Sequence, residues 1–293
     1  MTTLEEAAHE GVSDELTDFA VYTKLAGFER KEKFKRILIN LATMEQNHYA
    51  FWKKYCSPNK EFKASSLRIY LIVFLRLIFG VTFAVKYLER HETDTIKKYQ
   101  SLTDSIPQSD RKAFDAMIAD EKEHERTLEE QFEEPHLKYL SFIVLGLADA
   151  LVEIAGIHAG SLGIYDSTEL AGLAGIIAGA AASVAMASAA YAQAKAGFKG
   201  SAAMSAIYTG VSYFVTALLL ATPYFLTKVM IYALSFSLSF GIALTAFTSF
   251  YSSVISGANF KKDFMEITSI ILLATALLYV IGTLIRHFTG ITV

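Results

Sequence analysis

One cysteine, Cys56, is all the thiol chemistry in 293 residues. It excludes an intrachain disulfide and fits a reducing compartment. A net charge of −3, with no basic stripe interleaved with aromatics, gives no basis for a nucleic-acid partner. The opening residues MTTLEEAAHEGVSDEL are acidic and lack an apolar core, so no signal peptide is expected. Charge itself is scarce in one half. Residues 139–293 contain long runs with almost none, whereas residues 1–138 hold most of the Lys, Arg, Asp and Glu. A hydrophobic fraction of 53% and a mean hydropathy of +0.33 are high for a wholly soluble chain. The length suggests about two domains, and the charge asymmetry makes them a soluble module joined to a membrane module.

The soluble part carries two matching signatures. One reads Glu15, Tyr22 and Glu45-x-x-His48; the other reads Glu92, Tyr99 and Glu121-x-x-His124. The step from lone Glu to Tyr is seven residues both times, and from lone Glu to the Glu of Glu-x-x-His it is 30 and 29. Helical residues three apart share a face, so each Glu-x-x-His presents a carboxylate beside an imidazole. A ferritin-like di-metal bundle needs that pattern: a lone Glu from each of two helices and a Glu-x-x-His from each of the other two. The expected metal ligands are therefore Glu15, Glu45, His48, Glu92, Glu121 and His124. Such donors suit Fe2+, Mn2+ or Zn2+, and ligand type alone does not choose among them. Tyr22 and Tyr99 are expected either as donors to the bridging carboxylates or as core.

The expected architecture is all-α, with a ferritin-like four-helix bundle over residues 1–135 and a five-helix membrane domain over 136–293. Ser13 is the expected cap of a first helix that ends near Gly27. A second helix is expected over about 29–55, with Phe34, Ile37, Leu38, Leu41, Met44 and Phe51 inward. Residues 64–100 read as one long helix. Its stretch Ile69–Leu88 is long enough to span a bilayer, but spanning would put the two half-sites on opposite sides. It is therefore read as a bundle helix whose spare apolar face packs on a second subunit or on the membrane surface. Pro107 breaks this helix, and Ser109 is the expected cap of a fourth.

Five spans are expected, at about 139–163, 170–194, 202–225, 229–253 and 264–287. Lys138, Lys195, Lys199, Lys261 and Lys262 fall on one side, which places the N-terminal module in the cytoplasm and the C-terminus opposite. Asp149 and Glu153 sit one helical turn apart inside the first span. Intramembrane carboxylates mark ion or proton pathways, so these two are expected to line one together with Met186, a soft thioether in a span of small residues. His158, nearer the far end of that span, reads as a proton acceptor or an interfacial residue. Gly175-x-x-x-Gly179 is a seam for close helix packing.

Asp149-Ala150-Leu151-Val152-Glu153, Met186 with Tyr191, Tyr208-Thr209-Gly210, Phe264-Met265-Glu266 and Gly290-Ile291 resemble the vacuolar iron transporter family. The whole chain resembles most closely the branch with a rubrerythrin-like, ferritin-like domain ahead of five spans. The resemblance implies movement of Fe2+ or Mn2+ out of the cytosol against protons by a homodimer. Its metal-path Asp and Met map onto Asp149 and Met186. Two departures stand out. Only about eight residues, Lys195 to Ala202, join spans two and three, where plant and fungal members carry a metal-binding insert. Ala190 also stands where a Glu is expected before Tyr191. The implied protein is an iron exporter in a prokaryotic cell membrane with a di-iron site. The rival reading is a membrane-anchored di-iron ferroxidase or peroxidase of the rubrerythrin type.

Overall fold

The computed structural model of the chain describes residues 4–131 and 137–290, and all of their side chains except those of residues 91–94 and 124–131. The described residues form eleven α-helices, with short 3-10 turns and no strand. The chain divides into two compact units, Met1–Glu134 and Pro135–Val293, close to the boundary expected at Pro135.

The first unit contains α1 (Leu4–Phe28), α2 (Glu32–Lys53), α3 (Ser66–Phe79), α4 (Val81–Leu88), α5 (Glu92–Leu102) and α6 (Arg111–Gln131). Each long helix buries a stripe at three- and four-residue spacing, which turns one face inward. In α2 the stripe runs Phe34, Ile37, Leu38, Leu41, Glu45, His48, Phe51 and Trp52, so two polar residues occupy core positions. Trp52 is fully buried, with ring centroids 5.1 Å from Tyr99 of α5 and 5.8 Å from Phe114 of α6. Ala7, Ala8 and Val12 join the same cluster.

That cluster explains why Ser13 does not cap α1. The buried stripe continues back to Ala7, so the helix starts at Leu4, and the Ser13 carbonyl accepts the Thr17 hydroxyl inside it at 2.7 Å. Ser109 is likewise not the cap of α6. Asp110 precedes the helix, its carbonyl accepts the Phe114 N–H at 3.0 Å, and its carboxylate takes the Tyr55 hydroxyl at 2.7 Å.

The single helix expected over 64–100 is three helices. Gly80 stands between α3 and α4 at φ 89°, ψ 171°, a backbone region open essentially to glycine alone. A 3-10 turn at Glu89–His91 separates α4 from α5. The two sides of Gly80 differ sharply in burial. α4 buries Val81, Phe83, Ala84, Val85 and Leu88, whereas α3 buries only Ile72 and Leu75 and exposes Leu67, Tyr70, Phe74 and Leu77. Arg76, mid-way along the apolar stretch, donates to the Phe28 carbonyl at 2.8 Å and lies 3.6 Å from Glu29. Its charge is thus spent inside the first unit, and Ile69–Leu88 is not among the helices long and apolar enough to cross a membrane.

The second unit holds α7 (Leu140–Ile164), α8 (Thr168–Lys195), α9 (Ala202–Leu226), α10 (Met230–Ser256) and α11 (Phe260–Thr289). These five are long and apolar enough to cross a membrane, which marks an integral membrane protein. Their bounds lie within a few residues of those expected. α7 sits against the other four, and the Thr209 hydroxyl of α9 donates to the Phe142 carbonyl of α7 at 3.0 Å. Small residues set the spacing, as expected where lipid gives helices no hydrophobic reason to associate.

Gly80→Ala forces a side chain into that glycine-only conformation. It is expected to cost roughly 1–3 kcal/mol and to lower the thermal unfolding midpoint of the full-length protein, measured by circular dichroism.

Candidate metal centre and membrane carboxylates

Four expected ligands converge inside the first unit. Glu15 of α1, Glu45 and His48 of α2 and Glu121 of α6 are all buried. One donor atom from each of Glu15, Glu45 and His48 lies within 4.8 Å of the other two. His48 Nδ1 lies 3.2 Å from Glu121, 3.5 Å from Glu45 and 3.8 Å from Glu15. Two elements of the first signature thus meet the Glu of the second, although 76 residues separate Glu45 from Glu121 in the chain. Glu92 and His124 lie outside the described side chains.

The tyrosines divide. The Tyr99 hydroxyl donates to Glu15 Oε1 at 2.8 Å, so the tyrosine of the second signature serves the lone Glu of the first. Tyr22 is fully buried, and its hydroxyl has no partner among the described residues. Asp120, which sequence spacing did not single out, brings a carboxylate oxygen to 3.6 Å from His48 Nε2. The signal available was adjacency alone, since Asp120 sits one residue before Glu121 and off the Glu-x-x-His pattern.

Three buried carboxylates around one imidazole cannot all stay ionised without a cation. Burial pushes the Glu45 carboxyl well above the usual range, and the Glu15 charge adds to the push. Burial works against Glu15 as well, but bonds to His48, Glu45 and Tyr99 outweigh it and hold that carboxyl below its ordinary value. For His48, burial opposes protonation, yet the contacts with Glu121, Glu15 and Glu45 win and raise it far above an ordinary imidazole. Burial and the Glu15 and Glu121 charges raise the Tyr99 phenol. The site therefore holds protons at neutral pH where a divalent ion could stand. Its donor set of buried carboxylate oxygens and an imidazole fits Fe2+, Mn2+ or Zn2+.

A cavity of about 480 Å3 opens beside these ligands, lined by Glu15, Glu45, Tyr99 and Glu121 and by Asp14, Asp18, Arg68 and Glu89. Burial raises the Asp18 carboxyl well above its ordinary value, with Arg68 opposing.

In the second unit, Asp149 is half-buried and Glu153 is exposed on α7. Glu153 accepts the hydroxyl of Tyr213 of α9 at 2.5 Å, and Tyr213 is fully buried. Met186 of α8 packs against the cluster that contains Ala150, Ile154 and Tyr213. Tyr213, which no sequence motif singled out, thus ties α9 to Glu153 of α7. Glu266 is exposed on α11 and lines a separate cleft with Asp263, Thr248 and Ser249. Ala190 is fully buried with Phe142 and Ala194, so the position where a Glu was expected is a packing site here.

No family model, curated protein or solved structure matches the chain.

Metal loading of the first unit is expected to rise with pH. Glu45 and His48 both bind protons more tightly than ordinary groups, and those protons must leave before either side chain can ligate. Lower pH therefore weakens binding, by up to about tenfold per pH unit for each proton displaced. Equilibrium dialysis with Fe2+ under anaerobic conditions, read by elemental analysis between weakly acidic and neutral pH, measures the slope. His48→Ala is expected to abolish loading at that site.

Proposed function

We propose that this protein exports Fe2+, or Mn2+, from the cytosol in exchange for protons. In this reading its first unit is a ferritin-like bundle that captures the ion on the cytoplasmic side. The observation that carries the reading is the coexistence in one chain of a buried carboxylate–imidazole site and a carboxylate pair within a membrane-spanning helix. Glu15, Glu45, His48 and Glu121 hold the arriving ion, with Glu92 and His124 completing a two-ion set by the symmetry of the two signatures. The ion then reaches Asp149, Glu153 and Met186, and protonation of the carboxylates from the far side releases it.

Tyr213 has a definite part in this scheme. Its hydroxyl occupies one oxygen of Glu153 and leaves the other for the ion. Glu153 is exposed on the single chain, at a depth where lipid offers no hydrogen-bond partner. A second copy would cover that face, so the exposed carboxylate favours a homodimer. The lysines at Lys138, Lys195, Lys199, Lys261 and Lys262 support a cytoplasmic first unit, and five spans put the C-terminus on the opposite side. The resemblance to the rubrerythrin-fused branch of the vacuolar iron transporters supports the same assignment.

A second reading draws on the 480 Å3 cavity. Space for a small oxidant beside a buried carboxylate site suits a ferroxidase or peroxidase, with iron as the resident metal and the spans as an anchor. Two carboxylates in α7 weigh against it, because an anchor has no use for acids at membrane depth, whose insertion is costly.

Proteoliposomes decide between the two. Fe2+ or Mn2+ flux in the full-length protein, abolished by Asp149→Ala and cut at least about tenfold by Tyr213→Phe (a hydrogen bond to a charged group is worth about 1.5–3 kcal/mol), is the expected result. Oxygen or peroxide consumption without flux would mean the enzyme.

A further inference from the structure

His158 of α7 is fully buried, 0% exposed, inside the membrane unit. Among the described residues neither ring nitrogen has a hydrogen-bond partner, and the same holds for the hydroxyl of Tyr224 of α9. The two rings lie against each other, with centroids 4.2 Å apart and planes tilted by 33°. On the third side stands Gly175 of α8. A Cβ placed there would come 2.2 Å from His158 Nε2, so the imidazole tip occupies a hollow that only glycine leaves open. The first glycine of the Gly175-x-x-x-Gly179 seam thus makes room for a titratable ring.

Three polar atoms shut away from water at membrane depth are costly when they bind nothing. A packing residue of similar size, Phe or Leu, would fill the same space without that cost. Imidazole differs from those residues in one chemical respect, since it takes up and releases a proton near neutral pH. The face of Tyr224 is placed to help, because an aromatic ring attracts a cation lying over it.

The surroundings contain little else that titrates. Ala171 of α8 and Ala233 and Leu234 of α10 pack with Tyr224 and Ala159, with Tyr165 and Met230 at the margin. α11 meets this part of α7 through Leu278 and Gly282. Along the chain the flanking charges are Glu153 of α7, five residues before, and Asp166, eight residues after and just beyond the helix. Asp166 lies 3.6 Å from Arg286. At the N-terminal end of α8, Glu169 accepts from the hydroxyls of Ser167 and Thr168.

We infer that His158 and Tyr224 form a proton-binding site of the membrane unit, distinct from the carboxylates that hold the metal, through which the protons that release the metal pass. This rests on the transport reading above and names the residue that carries the counter-ion. A proton from the far side adds to an imidazole nitrogen, and the same nitrogen later returns it toward the cytosol. His158 stands about 7.5 Å beyond Glu153 along the helix axis. Between those positions a low-dielectric medium screens charge poorly. A protonated ring there and a divalent ion at Glu153 repel each other, so occupancy alternates. That alternation is what exchange requires.

The test uses full-length protein in liposomes carrying a pH-sensitive dye, with Mn2+ as the driving ion. Wild type is expected to move protons against Mn2+. His158→Phe, which keeps the aromatic stack but cannot bind a proton, is expected to lower the number of protons moved per Mn2+, so that the pH change accompanying the Mn2+ uptake that remains falls to that of protein-free vesicles. A His158→Phe protein with the wild-type ratio of protons to Mn2+ overturns the inference. A direct measurement covers a variant that fails to fold or loses both fluxes. In 15N-histidine spectra of the wild-type protein in nanodiscs, one ring, identified by its disappearance in His158→Gln, must change protonation across the pH range that supports transport. A ring that stays in one state throughout overturns the assignment. Wild-type liposomes that pass no Mn2+ at all would sink the transport reading instead, and the ring titration would still decide whether His158 binds a proton.

Discussion

Like charges brought together out of water set the terms for the first unit. Glu15, Glu45 and Glu121 share one buried space around His48, and the Coulomb cost of three bare carboxylates there would exceed the marginal stability of a small domain. Something positive must be present, either protons or a metal. The same requirement shapes the helices around the site. α2 gives up two core positions to Glu45 and His48, and Tyr99 is drawn across from α5 to donate to Glu15. A large aromatic cluster of Phe51, Trp52, Tyr99 and Phe114 lies beside the polar site. It supplies the apolar burial that such a site does not, at about 25 cal/mol per Å2.

The membrane unit faces the same constraint with a worse solvent. Lipid cannot hydrogen-bond, so each polar group in a span must find a protein partner or serve a ligand. Thr209 solves this locally by donating to the Phe142 carbonyl, and Tyr213 solves it for Glu153. His158 and Tyr224 are not solved in this way. Close glycine-mediated packing on α7 and α8 leaves no slack for them to find other partners. Each unit therefore contains buried polar groups whose charge or hydrogen-bonding capacity the described side chains alone do not balance.

Much of this was legible in the chain. Five spans, the boundary near Pro135 and the helical stripes follow from hydrophobic periodicity and charge scarcity, which are local properties. Pairing of Glu15, Glu45, His48 and Glu121 was legible because two signatures repeat at nearly the same spacing. Where expectations went astray, longer-range packing was the cause. Ser13 has the chemistry of a cap, but the stripe through Ala7, Ala8 and Val12 has a tryptophan to pack on, and burial outweighs a cap worth about 1 kcal/mol. Residues 64–100 are helical in propensity throughout, yet Gly80 permits a sharp turn where α4 enters the core and α3 does not.

By itself, then, the sequence determined which residues can ligate, which segments can cross a bilayer and how the chain divides, because each depends on side-chain chemistry and neighbours within a few turns. Tertiary structure alone decided that Tyr99 serves Glu15, that Asp120 approaches His48, that Tyr213 holds Glu153 and that Gly175 opens a hollow for His158. These are contacts between helices far apart in the chain. Their partners are chosen by packing in three dimensions, and no spacing along one helix encodes them.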